Sequence, residues 1–359
     1  IVDHKKTARL GTGAGLVSGG SVTIRSRHAE SSTMSVDAQA AGTSVGVGAS
    51  VGVNLVTDTI TATAARNVSA AGDIVVASST TSAATQTVES SAQGSKKDSR
   101  KADDEASHQV TDNPNTGGGK TVPAAQDGVK SGNSSADDKA GGQSADVGVA
   151  ASVAVNSQSV TNTAEVLAGA KLVSSGGDVK VSGTADADAT VKADGSSIDL
   201  ETNDTIGAAV AVNWNTITNR ATVGAGATLS GVDVTVEAVL PEGGRSDQNV
   251  RALAAAGGDD VGVAGSVAIN SVTTTSEATI EESAVITATG DATVAATTRT
   301  GIVAVAGSVA YGGKAGVGVA VTVQIVTTNT HATVGDGASI DAAGVTTVSA
   351  AGTTSPMPV

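Results

Sequence analysis

The chain has 359 residues with no Cys, no Phe, one Trp (Trp214) and one Tyr (Tyr311), which excludes a disulfide framework, thiol chemistry and a core built on aromatic volume. Its 21 Lys and Arg stand against 35 Asp and Glu, a net charge of −14, and this argues against nucleic acid, whose phosphates demand clustered cations interleaved with aromatics. No stretch approaches the roughly 18 uninterrupted apolar residues of a membrane helix, and two aromatics cannot form the girdles of a membrane barrel, so no membrane insertion is expected.

In chain order, the first recognisable element is Leu16-Val-Ser-Gly-Gly-Ser-Val-Thr-Ile24, which matches Leu172 to Val181. The chain therefore enters partway through a repeat and reads as an excerpt, with any signal peptide outside it. From Val45 onward one block recurs five times, first as Val45-Gly-Val-Gly-Ala-Ser-Val-Gly-Val-Asn54 and next as Val147-Gly-Val-Ala-Ala-Ser-Val-Ala-Val-Asn156. The marker positions are Asn54, Asn156, Asn213, Asn270 and Gln324, spaced by 102, 57, 57 and 54 residues. Three residues after each marker stands a hydroxyl (Thr57, Ser159, Thr216, Thr273, Thr327), and eight after it stands Ala. Later comes a turn: Gly72-Asp73, Gly177-Asp178, Val232-Asp233, Gly290-Asp291 or Gly344-Val345, followed by a second alternating strand. Gly is expected to supply φ > 0 at this corner, and Asp to bond its own nearby backbone.

Abundant Thr, Ser, Gly and β-branched residues with period-two alternation, and no sustained helical spacing, make the chain all-β. Sequential, alike blocks without tight hairpin turns favour parallel stacking. The expected fold is an elongated, right-handed parallel β-helix, or β-solenoid, built from repeats of about 57 residues, each holding two or three coils. Along Val45 to Asn54 the Val face is expected inward and the Gly/Ser face outward. Trp214, sharing the parity of Val212, is expected in a wall of the core.

Between the first two copies, Gly94 to Asp146 holds three Val but no Ile, Leu, Met or aromatic residue, with 7 basic and 9 acidic side chains. Such a segment cannot bury enough apolar surface to offset its ordering entropy. The organisation is therefore solenoid repeats over 1–93, a polar low-complexity insertion over 94–146, and the same solenoid continuing over 147–359. A shorter polar patch, Pro241 to Asp247, is a second candidate loop.

The recurrent amides suit a structural ladder along the stack better than a binding site, and losing one is expected to cost about 1 kcal/mol through a single unpaired partner. The Thr-x-Thr runs would suit an ice-binding face only if one stood on every coil. The histidines His4, His28, His108 and His331 are scattered without metal-like spacing, and Gly257-Gly-Asp-Asp260 and Gly335-Asp-Gly337 are only fragments of calcium-binding repeats. No catalytic, cofactor-binding or metal residues are assigned, and no cofactor is expected beyond calcium held loosely by the acidic surface. Local carboxylate clusters and aromatic sugar platforms, which a polysaccharide-cleaving solenoid would need, are not evident.

The blocks Val-Gly-Val-Ala-x-Ser-Val-Ala-Val-Asn, Thr-x-Thr-x-x-Ala-Thr-Val and Gly-Asp-Val-x-Val resemble the repeats of giant bacterial surface proteins of the filamentous-haemagglutinin and leukotoxin-type filamentous adhesin kind. The resemblance covers nearly everything except Gly94 to Asp146. It implies an extracellular, cell-surface, non-enzymatic rod for cell adhesion, which spaces or presents binding surface toward a neighbouring or host cell, protein or glycan, and which can self-associate. A carbohydrate-active enzyme or an ice-binding protein on a β-solenoid scaffold is the alternative.

Overall fold

The computed structural model describes residues 1–42, 45–93, 147–199 and 202–357. The insertion expected over 94–146, with His108, lies outside the described residues.

The chain winds through six coils, each crossing three parallel sheets in turn. The first coil is β1 (Val2–Leu10), β2 (Leu16–Ser18) and β3 (Val22–Ala41), and the second is β4 (Val45–Ala64), β5 (Val68–Ala70) and β6 (Ile74–Gln93). The third is β7 (Val147–Val166), β8 (Lys171–Ser174) and β9 (Val179–Ile198). The fourth is β10 (Asp204–Val223), β11 (Thr228–Gly231), β12 (Val234–Val239) and β13 (Ser246–Gly258). The fifth is β14 (Val261–Ile280), β15 (Val285–Ala288) and β16 (Ala292–Gly312), and the sixth is β17 (Ala315–Val334), β18 (Ser339–Ala342) and β19 (Thr346–Pro356). Sheet A stacks β1, β4, β7, β10, β14 and β17; sheet B stacks the short strands; sheet C stacks the strands that end each coil. This is a parallel β-solenoid.

Each block is one coil, not two or three. β4 pairs with β7 across the 102-residue spacing, and β10 pairs with β7 and β14 at offsets of 57, all in unbroken register. A strand of 20 residues spans about 66 Å, whereas six coils rise only about 24 Å. The described stack is thus wider than it is tall, and it lengthens only as blocks are added.

The wide coil has two parts. Where sheets A, B and C meet, the core is apolar: Ile74, Leu172, Leu229, Ile280 and Ile286 are fully buried among Val and Ala. Each such side chain contributes roughly 1.5–3 kcal/mol by leaving water. Beyond that wedge, sheets A and C close directly on each other over an Ala-rich layer that includes Ala154, Ala193, Ala211 and Ala252. The gap there is too narrow for larger residues. A Cβ on Gly48 would lie 2.3 Å from the Ser91 carbonyl oxygen, and one on Gly207 would lie 2.1 Å from that of Ala255.

This spacing reverses the expected orientation of the sheet-A strands. In β4 the residues Gly46, Gly48, Ser50, Gly52 and Asn54 are buried, while Val45, Val47, Val51 and Val53 face outward. Trp214 follows the Val face and is 63 % exposed, so it does not line the core.

The corners also differ from expectation. Positive φ occurs between sheets A and B, at Gly169, Gly226, Ser283 and Gly337, and not at the Gly-Asp corner between sheets B and C. There the Asp side chains bond the neighbouring coil: Asp178 N donates to Asp73 Oδ1 at 3.1 Å, Asp233 N to Asp178 Oδ1 at 3.1 Å, and Asp291 N to Asp233 Oδ1 at 2.8 Å. Gly precedes them for want of space: a Cβ on Gly290 would sit 2.2 Å from Asp233 Oδ1. The second candidate loop occupies 240–245, with Ser246 and Asp247 already in β13. It splits one long sheet-C strand into β12 and β13, which both pair with β9.

Candidate functional site

The register aligns Asn54, Asn156, Asn213, Asn270 and Gln324 in one column of sheet A. Because each block is a single coil, the amides reach one another without intervening residues. Asn54 Nδ2 donates to Asn156 Oδ1 at 3.1 Å, Asn156 Nδ2 to Asn213 Oδ1 at 2.8 Å, and Asn213 Nδ2 to Asn270 Oδ1 at 3.0 Å. A second column joins Asn162 Nδ2 to Asn219 Oδ1 at 2.8 Å, and Asn215 Nδ2 bonds Gln158 Oε1 at 3.1 Å. These amides are buried, and inside a low-dielectric layer a satisfied network fixes the register of one coil on the next.

Truncating Asn213 therefore affects more than one partner. It accepts from Asn156 and donates to Asn270 and, at 3.1 Å, to Gln248 Oε1. Asn213→Ala is expected to cost about 3 kcal/mol, above the 1 kcal/mol that a single lost partner would suggest. Denaturant midpoints, with amide exchange in β7 and β14, measure it.

The outer face of sheet A carries two zones. On one half stand Val45, Val47, Val51 and Val53, with Ile206, Trp214 and Val263 on later coils, each at least 38 % exposed. On the other half stand hydroxyls in columns: Thr57, Ser159, Thr216, Thr273 and Thr327 in one, and Thr59, Thr161, Thr218 and Thr275 in the next. The Thr-x-Thr element that the sequence places once per block is consequently present on consecutive coils. Arg220 and Glu277, bonded at 2.6 Å, flank it.

Two clusters of titratable groups stand out. Under the 240–245 loop, Asp188 accepts from Asp247 N at 2.7 Å and Asp186 from Ser246 Oγ at 3.2 Å. Burial, more than the neighbouring carboxylates, raises both, Asp188 to about 6. Arg245 pairs with Asp247 beside them, so these carboxylates fasten the loop to β9.

The other cluster is at the first two coils. His4 and Asp58 point inward from adjacent strands of sheet A, and His28 and Glu30 point inward from sheet C. His4 Nδ1 lies 2.7 Å from Glu30 Oε2 and 3.4 Å from Asp58 Oδ1; His28 Nε2 lies 3.3 Å and 3.2 Å from the same two oxygens. The imidazole rings are 4.7 Å apart. Histidines that look scattered along the chain are thus brought together with two carboxylates. The signal is present in the sequence only at the coil spacing: His4 is 54 residues before Asp58, one turn of the solenoid. His331, on β17, stays apart at the register of Glu277.

Among the described residues no helix is long and apolar enough to cross a membrane. No family model, curated protein or solved structure matches this chain.

Proposed function

We propose that this chain is a structural and adhesive segment of a large secreted bacterial surface protein, a rod that spaces or presents binding surface for attachment to cells. The observation that carries this reading is the stacking of equivalent blocks, one per coil, with the same outward face repeated on sheet A. Each added block extends that face by about 4.8 Å without changing its chemistry. An exposed apolar zone of this breadth is what a contact surface for protein or glycan needs, and it also suits self-association of rods. The repeats resemble those of filamentous-haemagglutinin-like proteins, and that supports an extracellular location.

The test is attachment of cells or beads that display the chain. Replacing Val51, Val53 and Trp214 together by Ser is expected to lower adhesion severalfold with the fold retained, whereas any single recurring Asn or His substitution leaves adhesion nearly intact. Turnover of a polysaccharide abolished by one point mutation, with circular dichroism unchanged, would replace the reading with an enzyme.

One observation favours a second reading, ice binding: the hydroxyl columns run over successive coils on an exposed flat sheet. Thermal hysteresis and ice recrystallisation measure it directly. A solution indistinguishable from serum albumin in both assays removes it.

A further inference from the structure

At one level between sheets A and C the solenoid breaks its own pattern. In the third and fourth coils this level holds Val160, Ala185, Ala187 and Ile217, a buried apolar cluster. Following the register down the stack, Ile217 lies on Val160, Val160 on Asp58 and Asp58 on His4. On the facing sheet Ala185 lies on Thr80 and Thr80 on His28, while Ala187 lies on Ser82 and Ser82 on Glu30. Four ionisable side chains thus replace an apolar core.

Their burial is deep. The side chains of Asp58, Glu30 and His28 are 0 %, 7 % and 6 % exposed, and His4 is 37 % exposed. Buried charges are costly unless they are fully paired or bind a metal. The pairing within the cluster is incomplete, because Glu30 Oε1 and Asp58 Oδ2 are buried without a hydrogen-bond partner. These two oxygens belong to the carboxylates that face both imidazoles.

We propose that His4, His28, Glu30 and Asp58 form a four-ligand site for zinc or a similar first-row transition ion. A tetrahedral zinc with bonds of about 2.0–2.1 Å holds neighbouring ligand atoms about 3.3 Å apart. Three of the four nitrogen–oxygen separations are 3.2, 3.3 and 3.4 Å, the fourth is 2.7 Å, and one ligand atom from each residue fits within 4.8 Å of all the others. Two imidazoles select against calcium and magnesium, which take oxygen ligands. Four protein ligands fill a tetrahedron, the closed arrangement of a structural ion. Contributed by β1, β3 and β4, they let the ion clamp sheet A to sheet C and hold β1 against the stack.

The experiment titrates untagged, chelator-stripped protein with Zn²⁺, Co²⁺ and Ca²⁺. Expected are one equivalent of Zn²⁺ bound at least 100-fold more tightly than Ca²⁺, the strong visible absorption of tetrahedral Co²⁺, and slowed amide exchange in β1 when Zn²⁺ is added. Two variants borrow the residues that the neighbouring coils already accommodate: His28→Thr, as at Thr80, and Asp58→Val, as at Val160. Each is expected to weaken Zn²⁺ binding at least 100-fold with circular dichroism unchanged, whereas His331→Ala and His108→Ala leave it as it was. Absence of stoichiometric Zn²⁺ in the parent protein, or binding unchanged in both His28→Thr and Asp58→Val, overturns the site.

Discussion

Gly48→Val is expected to unfold the second coil, while Val51→Thr, three residues along the same strand, leaves stability within about 0.5 kcal/mol. The contrast follows from the way sheet A faces. Gly48 points into the layer where a Cβ already lies 2.3 Å from the Ser91 carbonyl oxygen and 3.1 Å from its carbonyl carbon. These are backbone atoms held in the ladder between β6 and β9, so relief requires sheets A and C to move apart. Overpacking of this kind reaches beyond the usual 1–3 kcal/mol when the backbone must shift, and more than about 4 kcal/mol is expected here. Val51 is 65 % exposed, so exchanging one methyl for a hydroxyl removes little from the interior. Denaturant midpoints and amide exchange in β4 and β6 measure both variants. A tolerated Gly48→Val together with a costly Val51→Thr would mean that the Val face is the inner one.

That orientation shows what was legible in the sequence. The period, the all-β class and the equivalence of the five blocks follow from spacings, because one block is one turn and identical residues fall on top of one another. The number of coils per block was not legible. Nothing in an alternating run separates a strand of 20 residues from two shorter strands with a bend. The inward face was misjudged because alternation defines two faces without saying which is covered, and volume favours burying Val. What decided it was the distance between sheets A and C, a tertiary quantity. One local clue existed: Asn54 shares parity with Gly46, Gly48 and Gly52, so a buried amide ladder already required the Gly face inside. The His and carboxylate cluster was hidden in another way. Two of its members are one coil apart and all four sit at the start of the array, so scanning for short motifs finds none of it, whereas comparing residues at a separation of 54 pairs His4 with Asp58.

Stability is expected to fall as the pH rises from about 4 to about 7, and Asp194→Asn is expected to remove much of that fall. Asp194 is 6 % exposed on β9, between Glu89 of β6 and Leu253 of β13. Burial, and secondarily the charge of Glu89, push its carboxyl from 3.8 up to about 7, against a hydrogen bond from Ser196 Oγ at 2.7 Å that favours the ionised form. The folded state therefore binds this proton more tightly than the unfolded chain does. Its contribution is complete below the unfolded value, declines while the unfolded chain alone has lost the proton, and levels off above the folded value. At about 1.4 kcal/mol per unit, the whole decline is on the order of 4 kcal/mol. Asp188, raised to about 6 and only partly buried, adds a smaller change of the same sign once solvent screening is allowed for. An acidic chain also repels itself increasingly as carboxylates ionise, which gives every variant some loss on the alkaline side. The comparison with Asp194→Asn separates the two effects: the amide keeps an acceptor for Ser196 and shares the general repulsion, but it carries no proton to lose. Denaturant midpoints of both proteins at about pH 5 and about pH 8 should converge at the lower value and part at the higher one, with the variant more stable. Parallel pH profiles for the two proteins would show that Asp194 ionises without cost and that the general repulsion alone governs the decline.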